Sequence, residues 1–288
     1  MKRKNLTVTV THVGHPFLQG SSSSQVSVFT KNNYFSFPSS PLSALIQKGD
    51  TITVSASGEL KRVNNLSIDG LIKLNEFDGV IERISHPIWQ KNPDTGFNSL
   101  YVSITAQEQI FLVKANWNTL LLREGDEIAI ELENYEILKF QNKTLNFKFS
   151  AASSQTSRLK GQILRVSHPM MWPNAQGIMG LKTLVLMKDL KFKILPATPE
   201  SMFLEDGDWV DISDKSIKNA RIPQFRFLGD ALPEYYEVKY IGHPFPTTFS
   251  NGQKSLGRFL ITPADELYLV PATETNMLTQ AGDKIINF

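Results

Sequence analysis

No cysteine occurs among the 288 residues of this chain. This absence excludes disulfides, thiolate zinc sites and cysteine nucleophiles together. The short motifs that mark common enzymes are missing as well: there is no phosphate-cradling glycine loop, no Gly-x-Ser-x-Gly, no His-Glu-x-x-His and no dinucleotide fingerprint. We therefore expect a protein that is not an enzyme and that needs no cofactor.

Long hydrophobic runs are also missing, and no segment approaches the ~18 apolar residues that span a membrane. The basic residues 1–4 lead directly into the alternating residues 5–8, without the apolar core of a signal peptide. These features predict a soluble, cytoplasmic protein. The formal net charge of +2 permits a nucleic-acid partner without demanding one, because strong electrostatic binding usually shows as a plainly basic domain.

The chain does contain an internal repeat, in which a His-Pro pair is followed by a Gly-Asp pair. The four instances are His15-Pro16 with Gly49-Asp50, His86-Pro87 with Gly125-Asp126, His168-Pro169 with Gly207-Asp208, and His243-Pro244 with Gly282-Asp283. The spacing from histidine to glycine is 34 residues in the first instance and 39 in the others. This recurrence predicts four tandem copies, which we number 1 to 4 and place at residues 1–78, 79–157, 158–232 and 233–288.

Small polar residues fill 150–157, which we interpret as a linker that divides the copies into two pairs. Copy 4 is short, so its last strand is either absent or supplied by the N-terminal segment. Each copy is predicted to contain a strand, a variable loop, two strands joined by a tight turn, a short helical turn, the Gly-Asp turn and two further strands. The predicted class is all-β with short helical connections.

Apolar alternation on the second strand of each copy predicts core positions that repeat along the chain. These positions are Val26 and Val28, Val102 and Ile104, Leu184 and Leu186, and Phe259 and Ile261.

The order and size of these elements resemble the OB-fold, a five-stranded Greek-key barrel with a helix between its third and fourth strands. Residues 110–130 also look like the part of bacterial single-stranded-DNA-binding proteins in which a strand, a helix and a basic-glycine turn lead into the next strand. The resemblance implies four OB-like barrels that bind single-stranded DNA, or else RNA, alongside other replication or recombination proteins. A four-bladed propeller and other small barrels are the alternatives.

The His-Pro pairs are interpreted as strand ends, where the imidazole bonds a backbone group and the residue after the proline fills one end of the barrel. Those filling residues are Phe17, Ile88, Met170 and Phe245. A metal held by all four histidines is the less favoured reading, because no carboxylate stands at a fixed offset to orient the rings. The Gly-Asp pairs suit a turn in which glycine takes a positive φ and aspartate bonds the backbone beyond it.

The candidate binding residues are aromatic or basic and lie on the third strand or beside the His-Pro pairs. On or next to the third strand they are Phe35, Phe37, Phe111, Lys114, Lys193 and Tyr268; beside the pairs they are Arg83, Trp89, Arg165, Trp172 and Tyr240. Aromatic rings on an exposed strand stack bases, and cations bind phosphate. The alternative is that these side chains pack between copies in a structural or assembly protein, such as a phage or mobile-element component.

Overall fold

The computed structural model describes residues 5–19, 23–67, 76–91, 98–133, 136–150, 155–173, 176–222, 224–273 and 276–286. Strands dominate these residues and the helices are single turns, so the predicted all-β class is confirmed. The chain divides into two compact units, residues 1–149 and 150–288, and the boundary falls where the predicted linker begins. Among the described helices, none has the length and apolar character to cross a membrane.

The first unit contains copies 1 and 2. Its described elements are β1 (Leu6–Val13), β2 (Phe17–Gln19), β3 (Ser23–Thr30), β4 (Tyr34–Pro38), the 3₁₀ turn η1 (Ser43–Leu45), β5 (Thr51–Val54), β6 (Leu60–Val63), β7 (Leu66–Ser67), β8 (Glu76–Val80), β9 (Arg83–Ile84), β10 (Ile88–Lys91), β11 (Asn98–Ala106), β12 (Gln109–Lys114), α1 (Trp117–Leu120), β13 (Glu127–Glu133) and β14 (Glu136–Asn142).

The second unit contains copies 3 and 4. Its described elements are β15 (Leu159–Val166), β16 (Met170–Pro173), β17 (Met179–Met187), β18 (Phe192–Pro196), α2 (Pro199–Met202), β19 (Trp209–Ile212), β20 (Ile217–Asn219), β21 (Arg226–Gly229), β22 (Tyr235–Glu237), β23 (Tyr240–Ile241), β24 (Phe245–Thr248), β25 (Lys254–Ile261), β26 (Glu266–Pro271), the 3₁₀ turn η2 (Asn276–Leu278) and β27 (Lys284–Ile286).

The first strand of each copy connects two antiparallel arrangements. Strand β1 pairs with β5 through its first half and with β3 through its second half, with a register shift between Val10 and His12. Strand β15 pairs with β19 and β17 in the same way. In copies 2 and 4 the first strand is interrupted, so that β8 and β22 pair with the fourth strand, β9 and β23 with the second.

The described ladders form open sheets of two to seven strands, which corrects the prediction of four closed barrels. The bulge or break in each first strand redirects the chain from one sheet to the other. In copies 1 to 3 the third and fifth strands therefore do not pair with each other among the described residues. Period-two alternation specifies which residues point inward, but it does not specify whether a sheet closes.

Copy 4 gains a strand from an unexpected part of the chain. Strand β21, which precedes the His-Pro pair of this copy, pairs in parallel with its third strand β26. The N-terminal strand β1 pairs with β3 and β5 of copy 1. Of the two alternatives for the last strand of copy 4, supply by the N-terminal segment is not seen among the described residues, where β1 pairs within copy 1.

All eight predicted core positions are buried, but those of copies 3 and 4 lie on the opposite sheet face from those of copies 1 and 2. Val28 pairs with Phe35 across the first hairpin, and the equivalent pair in copy 3 is Val185 with Lys193, one residue farther apart in sequence. The longer turn ends on Leu190 with φ 63°. Because one residue of slip exchanges the two faces of a strand, Leu184 and Leu186 lie on the opposite face from Val26 and Val28. Phe259 and Ile261 are displaced in the same way, because Leu260 pairs with Tyr268.

Consecutive copies within each unit share a core. Ala44 of η1 packs with Ile88, Tyr101 and Leu112 of copy 2. In the second unit Met202 and Phe203, at the end of α2, pack in one cluster with Phe245, Phe259 and Leu269 of copy 4. The helical turn of one copy thus covers the outer sheet face of the next, and the apolar area buried there stabilises the pair.

Candidate nucleic-acid interface

Four of the predicted binding residues are buried: Phe37, Phe111, Lys193 and Tyr268. Phe35 stacks on Phe37 with ring centres 5.6 Å apart and packs against the core of copy 1. The Lys193 ammonium donates to the Ser157 carbonyl at 2.7 Å and to Asp214 at 2.6 Å. These side chains pack within the sheets. The aromatic rings among them therefore do not form an exposed platform for stacking bases.

Arg83 lies at the joint between copies 1 and 2. Its guanidinium donates to both carboxylate oxygens of Asp50, at 2.7 and 2.8 Å. Burial works against ionisation of Asp50, but hydrogen bonds from Arg83, the Gln47 amide and Asn64 outweigh it and hold the pKa of this carboxyl below its usual range. Arg83 therefore binds the neighbouring copy in this structure.

Tyr240 occupies the equivalent position at the joint between copies 3 and 4. Here Arg221 supplies the cation: its Nε donates to Asp208 at 2.8 Å, and its guanidinium lies 5.2 Å from the centre of the Tyr240 ring. Each joint thus places an arginine against the aspartate of a Gly-Asp turn, but the two arginines come from different positions in the repeat. Their common feature is a buried carboxylate that a cation must neutralise.

In the Gly-Asp turns the predicted positive φ of the glycine is confirmed, but the predicted hydrogen bond of the aspartate is wrong. Gly49, Gly125, Gly207 and Gly282 all have φ between 85° and 93°. The aspartate accepts a hydrogen bond from the amide three residues before it, not beyond it. The pairs are Gln47 to Asp50, Arg123 to Asp126, Glu205 to Asp208 and Gln280 to Asp283.

The histidines of the His-Pro pairs meet two by two. The rings of His15 and His86 have centres 3.7 Å apart, and those of His168 and His243 are 4.7 Å apart. Ile88 and Phe245, which follow the prolines, are buried at the joints between copies, which corrects their predicted place at a barrel end. No group of three or more His, Asp or Glu side chains is arranged to hold a metal within the described part of the chain.

The other predicted residues differ in exposure. Trp89 is 44% exposed on β10. Lys114, Arg165 and Trp172 are half-buried. The predicted set is therefore divided among the cores, the joints and separate surface positions, and the structure does not bring it together into one patch.

A surface that the sequence reasoning missed lies on the outer face of the sheet β15–β19–β20. We call it the basic sheet face, and its residues are Arg158, Lys160, Gln162, Trp209, Asp211 and Lys218. Trp209 is 62% exposed and is the first residue of β19, where the Gly207-Asp208 turn starts the strand. Val210 and Ile212 alternate with the outward residues and are buried in the core of copy 3.

The positive charges of this face lie two residues along the strands from Trp209. Gln162 is its direct partner on β15, while Lys160 and Lys218 flank Asp211 two residues along. Arg158 binds Asp211 at 2.8 and 2.5 Å, and this bond holds the pKa of the Asp211 carboxyl below its usual range. Neither lysine makes an ion pair with a described residue, so the face carries two net positive charges.

Two signals in the sequence point to this face. Residues 158–232 contain 11 basic against 8 acidic residues, an excess that only residues 1–78 equal, with 8 against 5. The alternation Trp209-Val210-Asp211-Ile212 after the Gly-Asp turn puts tryptophan on the face opposite to two aliphatic residues. Neither signal states which residues of the other strands lie beside Trp209.

A flat apolar ring on a face with net positive charge is suited to a ligand that combines planar groups with negative charge. Comparison of the chain with models of known protein families and with curated proteins finds no match. The choice of ligand for the basic sheet face therefore depends on its geometry and charge.

Proposed function

We propose that this protein binds single-stranded nucleic acid, with DNA as the first ligand to test, through the basic sheet face. The observation that carries the proposal is Trp209, an exposed indole on a sheet with Lys160 and Lys218 on the same face. A base stacked on an aromatic side chain contributes about 1 to 3 kcal/mol, and the lysines contact phosphates on either side. Binding weakens as salt concentration rises, because each phosphate contact releases counterions.

The described ladders are open sheets and not OB barrels, so the proposed function depends on one exposed sheet face of copy 3. Avidity among four equal grooves receives no support, since Thr51, Glu127 and Lys284 follow the other Gly-Asp pairs where copy 3 has Trp209. One copy carries the proposed site.

The test is a titration of a fluorescein-labelled thymidine oligonucleotide, followed by anisotropy, at low salt. Trp209→Ser is expected to weaken binding by about 5- to 150-fold, which corresponds to the loss of one stacked base. Trp89→Ser is the matched control, because Trp89 is also exposed on a strand but lies in copy 2. Absence of binding by the unchanged chain, or equal losses in both variants, contradicts the proposal.

A role in assembly is the second candidate, and one observation favours it. The hairpin of β16 and β17 exposes the apolar side chains of Met171, Ile178 and Met179, with Ile178 66% exposed. Neighbouring exposed apolar side chains mark protein contacts. Size-exclusion chromatography with light scattering separates the candidates: a defined oligomer that ignores the oligonucleotide favours assembly, and a monomer that shifts with it favours binding.

A further inference from the structure

Histidine is the one residue type that this chain concentrates at a single repeated position. Four of its five histidines occur in the His-Pro pairs, and His12 is the fifth. The residue after the proline changes freely, from Phe17 to Ile88, Met170 and Phe245. Packing at this place therefore tolerates different shapes, whereas the imidazole recurs in every copy.

The structure brings these imidazoles together in consecutive copies. The rings of His168 and His243 have centres 4.7 Å apart and an interplanar angle of 63°. Those of His15 and His86 have centres 3.7 Å apart and an angle of 43°. All four side chains are half-buried, and the proline after each one restricts the local backbone.

The spacing of the second pair matches that of two imidazoles on one metal ion. Imidazole nitrogens lie about 2.1 Å from zinc, so the ring centres lie about 3.2 Å from it, and an angle of about 90 to 110° at the ion separates them by about 4.5 to 5.2 Å. The separation of His168 and His243 falls within this range. The first pair has to open by about 1 Å to reach it.

Ring packing by itself does not require imidazole, because any flat side chain fills the same space. Two imidazoles from adjacent copies offer nitrogen ligands of the type that Zn²⁺, Ni²⁺ and Cu²⁺ prefer. The described residues offer no group of three or more His, Asp or Glu side chains. Water then completes the coordination, as in an open metal site.

We propose that each unit binds one late first-row divalent transition-metal ion, through His15 and His86 in the first unit and through His168 and His243 in the second. The ion links two consecutive copies. The second site binds more tightly than the first, because its rings already have the required separation.

The experiment is isothermal titration of the chain, purified without a histidine tag, with Zn²⁺ and with Ni²⁺. Two ions per chain are expected, at sites of unequal affinity. His243→Gln and His168→Gln each remove the tighter site, and His86→Gln removes the weaker one. His12→Gln is the matched control and retains both, because His12 lies outside the two pairs.

Thermal unfolding of each variant without metal shows whether it still folds, and the variants on opposite sides of a site check each other. Loss of the same site in both His168→Gln and His243→Gln supports the proposal. An unchanged stoichiometry in these variants, an equal loss in His12→Gln, or no saturable binding by the unchanged chain overturns it. A single ion that His86→Gln, His168→Gln and His243→Gln each lose also overturns it, because that result means one shared site.

Discussion

Copies 2 and 3 share the register of their first, fourth and fifth strands, but the outer faces of these strands differ in charge. The inward frame matches residue by residue: Gly79 and Asn142 in copy 2 take the positions of Gly161 and Asn219 in copy 3. In both copies the asparagine donates to the aspartate of the Gly-Asp turn, at 3.0 and 2.7 Å. The frame is thus held by the same hydrogen bond.

The outward residues at the same positions differ in charge. Glu76, Asp78, Glu127 and Gln141 in copy 2 stand where copy 3 has Arg158, Lys160, Trp209 and Lys218. The copy 2 lysines are neutralised by neighbours, because Lys143 lies 2.8 Å from Asp78 and Lys139 lies 2.6 Å from Glu131. The comparison teaches that the two copies share inward residues that hold the strands together, while their outward residues differ in charge.

The largest expected effect comes from removing the aspartate that Asn219 and Arg221 bind in copy 3. Asp208→Ala leaves Asn219 without its acceptor and Arg221 with only Glu205, 3.3 Å away, among the described carboxylates, and is expected to lower the free energy of unfolding by about 3 kcal/mol because it breaks a largely buried ion pair. Asp211→Ala, on the outer face of the same strand, is the control and changes it by less than about 1 kcal/mol. Urea unfolding measures both. An equal loss of unfolding free energy in the two variants would contradict the idea that the inward residues stabilise the copy more than the outward residues do.

The second prediction converts the face of copy 3 towards that of copy 2. Lys160→Asp with Lys218→Gln removes two cations beside Trp209. The slope of log affinity against log salt concentration for single-stranded DNA is expected to fall by about 0.7 for each phosphate that the variant no longer neutralises. Oligonucleotide titration at several salt concentrations measures this slope, and Lys139→Gln in copy 2 is the control that leaves it unchanged.

The third prediction is the reverse conversion. Glu76→Arg, Asp78→Lys, Glu127→Trp and Gln141→Lys together place the copy 3 pattern on copy 2. A second oligonucleotide site is expected, with an affinity within about tenfold of the first, because the underlying strand register is the same. Analytical ultracentrifugation with a short labelled oligonucleotide counts the sites. If the substituted chain still binds one oligonucleotide, a shared strand register is not sufficient to give copy 2 the binding surface of copy 3.

The smallest effect concerns the turn that places Trp209. Gly207 has φ 93°, so Gly207→Ala is expected to cost about 1 kcal/mol through the backbone alone. Gly180→Ala is the control, because an added Cβ there meets nothing within 4 Å and its φ lies outside the left-handed region. Thermal unfolding measures the difference. A neutral Gly207→Ala would mean that the turn relaxes without loss.

Sequence patterns were sufficient for the parts of this protein that depend on neighbouring residues. The repeat, the all-β class and the positive φ of Gly49, Gly125, Gly207 and Gly282 follow from spacing and local backbone chemistry. The buried places of Phe37, Phe111 and Tyr268 did not follow, because both faces of a strand look alike until its neighbours are known. Trp209 was missed for the same reason.

The sequence by itself determined the strand class and the positive φ of the Gly-Asp glycines, because each depends on backbone preferences within a few residues. Only the tertiary structure decided that Arg83 binds Asp50 of the preceding copy, that the histidines meet in pairs, and that Lys160 and Lys218 share a sheet face with Trp209. These contacts join residues that are 33 to 75 positions apart in the chain or belong to different strands. Their partners depend on strand register and on the packing of one copy against the next, which one residue in a hairpin turn is enough to change.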